Sequence, residues 1–144
     1  MKRLIVYALT AVMMGVSGPV AQAQDELTLD ARIGRTATVV GRGVQMIVPV
    51  RYRCTGTDIQ FLGIDVKAIQ RLSASRLTSG LGSATSGTDF ELQCDGEWHT
   101  VRVSVDPFDA PFKANKQALI QAQLFLCNPE ACTDAKASRL IDVV

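Results

Sequence analysis

The chain has 144 residues, with 15 Lys and Arg against 14 Asp and Glu and a single histidine. That length is one domain's worth, and so even a charge balance argues against the basic surface that nucleic-acid binding needs. At 47% hydrophobic and 20% charged the composition is that of a folded protein, and one histidine leaves little material for a conventional active site.

The N-terminus reads as an export signal. Lys2 and Arg3 form a short cationic region, and Leu4 to Val16 is a 13-residue apolar run broken only by Thr10 and Gly15. Ser17-Gly18-Pro19 then ends any helix. Ala21-Gln22-Ala23 places small residues at the two positions a signal peptidase reads, so cleavage is expected between Ala23 and Gln24. A membrane anchor is the rival reading, but it needs roughly 20 apolar residues. Removing residues 1–23 leaves 13 basic and 14 acidic residues, a net charge of −1. The expected product is one domain over residues 24–144, secreted or periplasmic, with no membrane anchor after cleavage. At that net charge, steering toward a polyanion is not expected.

Periodicity in the mature chain points to strands. Leu27, Leu29, Ala31 and Ile33 alternate with polar residues. Val44, Met46, Val48, Val50, Tyr52 and Cys54 hold six successive even positions, while Gln45, Pro49, Arg51 and Arg53 fill most of the odd ones. This is the pattern of a strand with one buried face. Pro49 cannot donate to a ladder, so it belongs at an edge or a bulge. Leu62/Ile64/Val66/Ala68, Phe90/Leu92/Cys94, Val101/Val103/Val105 and Ala118/Ile120/Ala122/Leu124/Leu126 repeat the pattern, and Leu140 to Val144 closes the chain. Gln70 to Leu77 is the one candidate for a short helix. Arg71 to Thr88, rich in Ser, Thr and Gly, reads as a mobile surface loop or a weak edge hairpin through Leu77 and Leu81. Asp95-Gly96 marks a tight hairpin, and Asp106-Pro107, Ala110-Pro111 and Asn128-Pro129 mark further connections. About seven short strands at this spacing predict an all-β, immunoglobulin-like Greek-key sandwich, with a closed barrel as the alternative.

Four cysteines, Cys54, Cys94, Cys127 and Cys132, make an even set for an exported chain. Two disulfides are expected, and three pairings are possible. Cys54 and Cys94 each end an alternating run in phase with its apolar residues, so both point inward near one end of the core. Cys127 and Cys132 enclose Asn128-Pro129-Glu130-Ala131, which can bend enough to join them. The expected pairs are therefore Cys54–Cys94 and Cys127–Cys132. A four-thiolate zinc site would want C-x-x-C pairs and a reducing setting.

Tyr52-Arg53-Cys54, Cys94-Asp95-Gly96 followed by His99, Phe112 ahead of Ala118, and Cys127-x4-Cys132 together resemble small immunoglobulin-like domains secreted by bacteria. The resemblance spans roughly residues 44–144. It implies a sandwich with two disulfides and carries no assigned activity. The Cys127–Cys132 loop is also similar to the small disulfide loops of chromophore-binding antibiotic apoproteins. Trp98 lies after the second cysteine of the long pair, whereas the antibody pattern puts a core tryptophan between the two.

Candidate chemistry is sparse. His99 would have to serve as the base for Ser104 or another serine, yet no G-x-S-x-G elbow is present. Asp95/Glu97 and Asp106/Asp109 are the nearest carboxylate pairs, and both fall in turns where Asp is favoured for backbone reasons. Asp106 and Asp109 alone supply too few oxygens for calcium. No catalytic residue, metal or cofactor is expected. Of the aromatic residues, Trp98, Phe108 and Phe112 are the surface candidates, with Phe112 expected to plug one end of the fold. The expected function is an exported, non-enzymatic binding or interaction module for a protein or small-molecule partner. The alternatives are an enzyme inhibitor presenting the 127–132 loop and an enzyme of unrecognised type.

Overall fold

The computed structural model describes residues 26–144, so the export signal and the cleavage point between Ala23 and Gln24 lie outside the described residues. Eight strands follow in order: β1 (Thr28–Ile33), β2 (Thr36–Val40), β3 (Gln45–Thr55), β4 (Phe61–Ser73), β5 (Arg76–Thr85), β6 (His99–Pro107), β7 (Lys116–Cys127) and β8 (Cys132–Val143). Their alternation sets the core. β3 buries Met46, Val48, Val50, Tyr52 and Cys54, β4 buries Leu62, Ile64, Val66 and Ala68, and β7 buries Ala118 through Leu126 at every second position. Each such Val, Leu or Ile contributes about 1.5–3 kcal/mol over leaving it in water. All strands feed one hydrophobic cluster.

The architecture corrects the expected immunoglobulin-like Greek-key sandwich: the sheet closes into a seven-stranded mixed barrel. The ring runs β3-β6-β5-β4-β7-β8-β2 and returns to β3. β3 pairs with β6 from Met46↔Val105 to Tyr52↔His99, which joins what would be two edges of a sandwich. The other closure is a short parallel seam, Thr36↔Asp142 and Ala37↔Val143, reinforced by Val39 N–H to Val144 O at 2.8 Å. All other pairings between these eight strands are antiparallel. Closure joins β3 to both neighbours in the ring, which is how barrels limit edge-to-edge association. β1 and β2 flank the same side of β3 in succession, Ile33 opposite Val50 and Thr38 opposite Ile47. The break between them faces Pro49, whose carbonyl accepts from Gly34 N–H at 2.8 Å, so the missing proline donor falls where the ladder is interrupted.

Other sequence expectations change with the barrel. Gln70–Leu77 is not a helix: β4 runs on to Ser73, Ala74-Ser75 turns the chain, and β5 begins at Arg76. The Ser/Gly-rich stretch is ordered as β5, paired with β4 from Gly63↔Thr85 to Ser73↔Arg76. Its glycines have a use, because β5 crosses β6 backbone to backbone. A Cβ at Gly80 or Gly82 would fall on the carbonyl of Asp106 or Ser104. Phe90/Leu92/Cys94 forms no strand and keeps only a single bridge, Ser86↔Phe90. Val44 lies just outside β3 and is 60% exposed. The last strand starts at Cys132 rather than Leu140, because its first half turns small residues such as Ala135 and Ala137 toward the core.

One end of the barrel is stoppered by Phe112, which is 2% exposed and whose N–H donates to Gly43 O at 3.0 Å. Two buried polar side chains hold the connection that carries it. Thr78 donates to Ala110 O, and Gln70 bonds both the N–H and the carbonyl of Lys113. Toward the other end Cys54 is joined to Cys94, and Cys127 to Cys132 across the first pair of the β7–β8 hairpin. Two closed disulfides fit an oxidising environment. Among the described residues no helix is long and apolar enough to cross a membrane.

Candidate functional site

The outward residues of β1, β3 and β6 fall into rows. Asp30 stands opposite Arg53, and Arg32 opposite Arg51. On the other side of β3, Arg51 faces Thr100 and Pro49 faces Arg102. Trp98, one residue before β6, continues the β6 line beside Arg53. Three guanidiniums gather on its ring: Arg32 at 4.4 Å from the ring centre, Arg53 at 4.9 Å and Arg51 at 5.4 Å.

Trp98 is held there by a turn clamped to the end of β3. Cys94 is bonded to Cys54, and Gly96 N–H donates to Cys54 O at 3.0 Å. Gly96 has φ +80°, a conformation that favours glycine, so the Asp95-Gly96 pair does make a turn. That turn leads from a segment without a ladder rather than from a hairpin strand. Asp95 Oδ1 accepts from Glu97 N–H at 2.9 Å and lies 2.8 Å from His99 Nε2. These two contacts, His99 first, hold the Asp95 carboxyl below the ordinary carboxylate range. Tyr52, inside the barrel, packs its ring 5.6 Å from that of His99 and accepts from Gln93 N–H. Burial pushes the Tyr52 phenol above its usual value, with the Gln93 bond working against it.

The platform is electrostatically incomplete. Arg53 is committed to Asp30, donating from Nε at 3.1 Å and Nη2 at 2.7 Å to the same oxygen. Arg32 and Arg51 have no ion-pair partner among the described residues and stand directly across from each other. Each contact with the Trp98 face contributes about 0.5–1 kcal/mol at an exposed site. That gathers the cations but leaves their mutual repulsion and their forked N–H donors unmatched. An oxyanion arriving above Arg32 and Arg51 would relieve both.

The other sequence candidates do not assemble. His99 and Ser104 lie on opposite faces of β6 and five residues apart, about 17 Å along a strand, so they form no nucleophile–base pair. Ser104 Oγ is buried without a partner. Asp106 accepts from Gln45 at 3.2 Å on the outside of the barrel, and Asp109 is exposed in the following connection. No group of three or more His, Cys, Asp or Glu among the described residues could hold a metal ion. An open trough of about 1180 Å³ crosses β4, β5, β6, β7 and β8, but its charges, Asp65 and Asp106 against Lys67 and Lys136, cancel. Phe108 is exposed and isolated from Trp98, and Phe112 is the buried plug.

Sequence reasoning missed the platform because it summed charge over the chain. The signal was present in the phase: Arg32, Arg51, Arg53 and Arg102 all occupy outward positions of their strands, but only the β1–β3–β6 order places them together. No protein-family model matches the chain, and no curated protein matches it.

Proposed function

We propose that the protein is an exported, non-enzymatic binding module, secreted or periplasmic, that holds an anionic group of its partner on the Arg32–Arg51–Arg53–Trp98 platform. The observation that carries this reading is the pair of facing guanidiniums, Arg32 and Arg51, gathered on one tryptophan ring without a carboxylate of their own among the described residues. The two disulfides and the cationic-apolar N-terminus with its Ala-x-Ala site support export.

Trp98 is the only tryptophan, so its fluorescence reports on the platform alone. Titration of the mature, disulfide-bonded protein with glucose 6-phosphate, glucose 6-sulfate and glucuronate at low salt should shift that emission. The R32Q/R51Q variant should lose at least about tenfold in affinity. Unchanged emission with all three anions would remove the reading.

A second reading rests on the tip of the β7–β8 hairpin. Asn128 Oδ1 accepts from Glu130 N–H at 2.9 Å and Ala131 N–H at 2.8 Å, and Asn128 N–H donates to Ala131 O. Pro129, Glu130 and Ala131 are exposed on this tied loop. A preorganised projecting loop is what an enzyme inhibitor presents to its target. Inhibition of an envelope or extracellular hydrolase, abolished by E130A but not by R32Q/R51Q, would favour it.

A further inference from the structure

The cations on this side of the barrel do not stop at the ring, and their arrangement bears on the shape of the ligand. Along β3 the outward rows are Asp30–Arg53–Trp98, then Arg32–Arg51–Thr100, then the break after β1 with Pro49 and Arg102. Successive outward residues on a strand are about 7 Å apart, so free or shared guanidiniums stand at three levels spanning roughly 14 Å. Asp30 is the one acid on these rows, and it is engaged by Arg53. The trough over β4 to β8 pairs two lysines with two aspartates, so it offers no such surplus of cations.

We propose that this flank is the binding site for an extended anionic glycan whose phosphate or sulfate ester groups are read by Arg32 and Arg51 at the central level and by Arg102 one level along. The proposal rests on the platform reading above and adds the polymer and the class of anion. A tetrahedral ester presents three terminal oxygens and can satisfy two facing guanidinium forks at once, whereas one carboxylate has two oxygens, enough for a single fork. Thr100, exposed beside Arg51, adds a hydroxyl donor at the same level. Nucleic acid carries the same phosphate chemistry, but single strands are held through bases stacked on aromatic rings. Trp98 is the one aromatic residue on these rows, and three guanidiniums already crowd it.

The test uses the mature, disulfide-bonded protein with Trp98 fluorescence as readout. The probes are dextran sulfate, phosphorylated dextran, unmodified dextran, polygalacturonate and oligothymidylate, with glucose 6-sulfate and glucose 6-phosphate as single-group ligands. Dextran sulfate, phosphorylated dextran or both should bind at least about tenfold tighter per group than the matching monomer, and weaken steeply as salt rises. The two esterified dextrans identify which ester is preferred. R102Q should weaken polymer binding severalfold and leave monomer binding unchanged, while R32Q/R51Q should abolish both. K136Q, in the charge-balanced trough, should alter neither. Polygalacturonate or oligothymidylate binding as tightly as the better esterified dextran would overturn the proposal. So would polymer binding indifferent to R102Q. If the monomers bind and the polymers gain nothing, the platform stands and the glycan inference falls. If no anion moves Trp98 emission, both fall.

Discussion

Gln70 on β4 and Lys113 in the β6–β7 connection exchange two hydrogen bonds, Nε2 to the Lys113 carbonyl and Lys113 N–H to Oε1, each at 2.7 Å. Gln70 is fully buried, and its amide stands in for a strand partner, satisfying a loop that crosses the barrel mouth with Phe112. Replacing Gln70 with leucine keeps the volume but leaves a backbone donor and acceptor unpaired. The expected loss is about 2–4 kcal/mol. K113A should cost less than about 0.5 kcal/mol, since only its backbone is used. Urea melts of the two variants separate the cases, and equal losses would contradict the clamp.

The crossing of β5 over β6 makes an equally sharp contrast. G82A would push a methyl onto the Ser104 carbonyl, so either the β5–β6 seam opens or the variant fails to fold; a loss above about 3 kcal/mol is expected. Gly63, on β4 with an ordinary strand backbone, has only the Phe61 ring at 3.9 Å from an added Cβ. G63A should be neutral or stabilising by about 0.4–1 kcal/mol, through the unfolded chain's lost freedom. Thermal melts decide it, and a tolerant G82A would mean that the two backbones do not touch.

How far the fold was legible follows from where its information lies. The inward phase of β3, β4, β6 and β7 is written as alternation, so Val48, Ile64, Val103 and Ile120 were assignable to the core from spacing alone. Barrel closure is not written that way. It depends on the two-residue parallel seam of Ala37 with Val143 and on glycines that let β5 cross β6, and turn spacing is the same for a sandwich. The first half of β8 was missed because Thr133, Ala135 and Ala137 are small or polar and only half-buried. Phe90, Leu92 and Cys94 show the opposite failure: the alternation is present but its partner is the barrel end, not another strand. The platform was half legible. Arg51 and Arg53 were read as outward, but their convergence with Arg32 on Trp98 needs the long-range register.

The Asp95–His99 contact predicts an acid limb. The Asp95 carboxyl is held below its ordinary value of 3.8 in the folded protein, so the folded state binds its proton less readily than the unfolded chain does. Its stabilisation is therefore fully present above pH about 4–5 and is lost as pH falls through the folded value. The stability advantage of wild type over D95N should shrink as pH falls below 3.8. Denaturant melts at pH 3 and pH 6 measure it. An advantage that grows toward acid would reverse the sign and refute the contact.

The two disulfides should separate stability from recognition. Cys54–Cys94 closes a separation of 40 residues and Cys127–Cys132 one of 5. On loop-closure entropy alone the long link contributes about 4 kcal/mol and the short one about 2 kcal/mol. Cys54 is also fully buried, so C54A/C94A leaves a cavity and costs more still, while Cys132 is exposed. The long link has a second task, because Cys94 anchors the turn that lays Trp98 among its arginines. C54A/C94A should therefore change Trp98 emission and weaken anion binding even at temperatures where the domain remains folded. C127A/C132A should leave both unchanged, since that link closes only the β7–β8 hairpin and takes no part in the turn that carries Trp98. Melting curves paired with Trp98 titrations read the two effects separately. A C54A/C94A protein that is destabilised yet binds anions as wild type would show that the turn holds Trp98 without its disulfide.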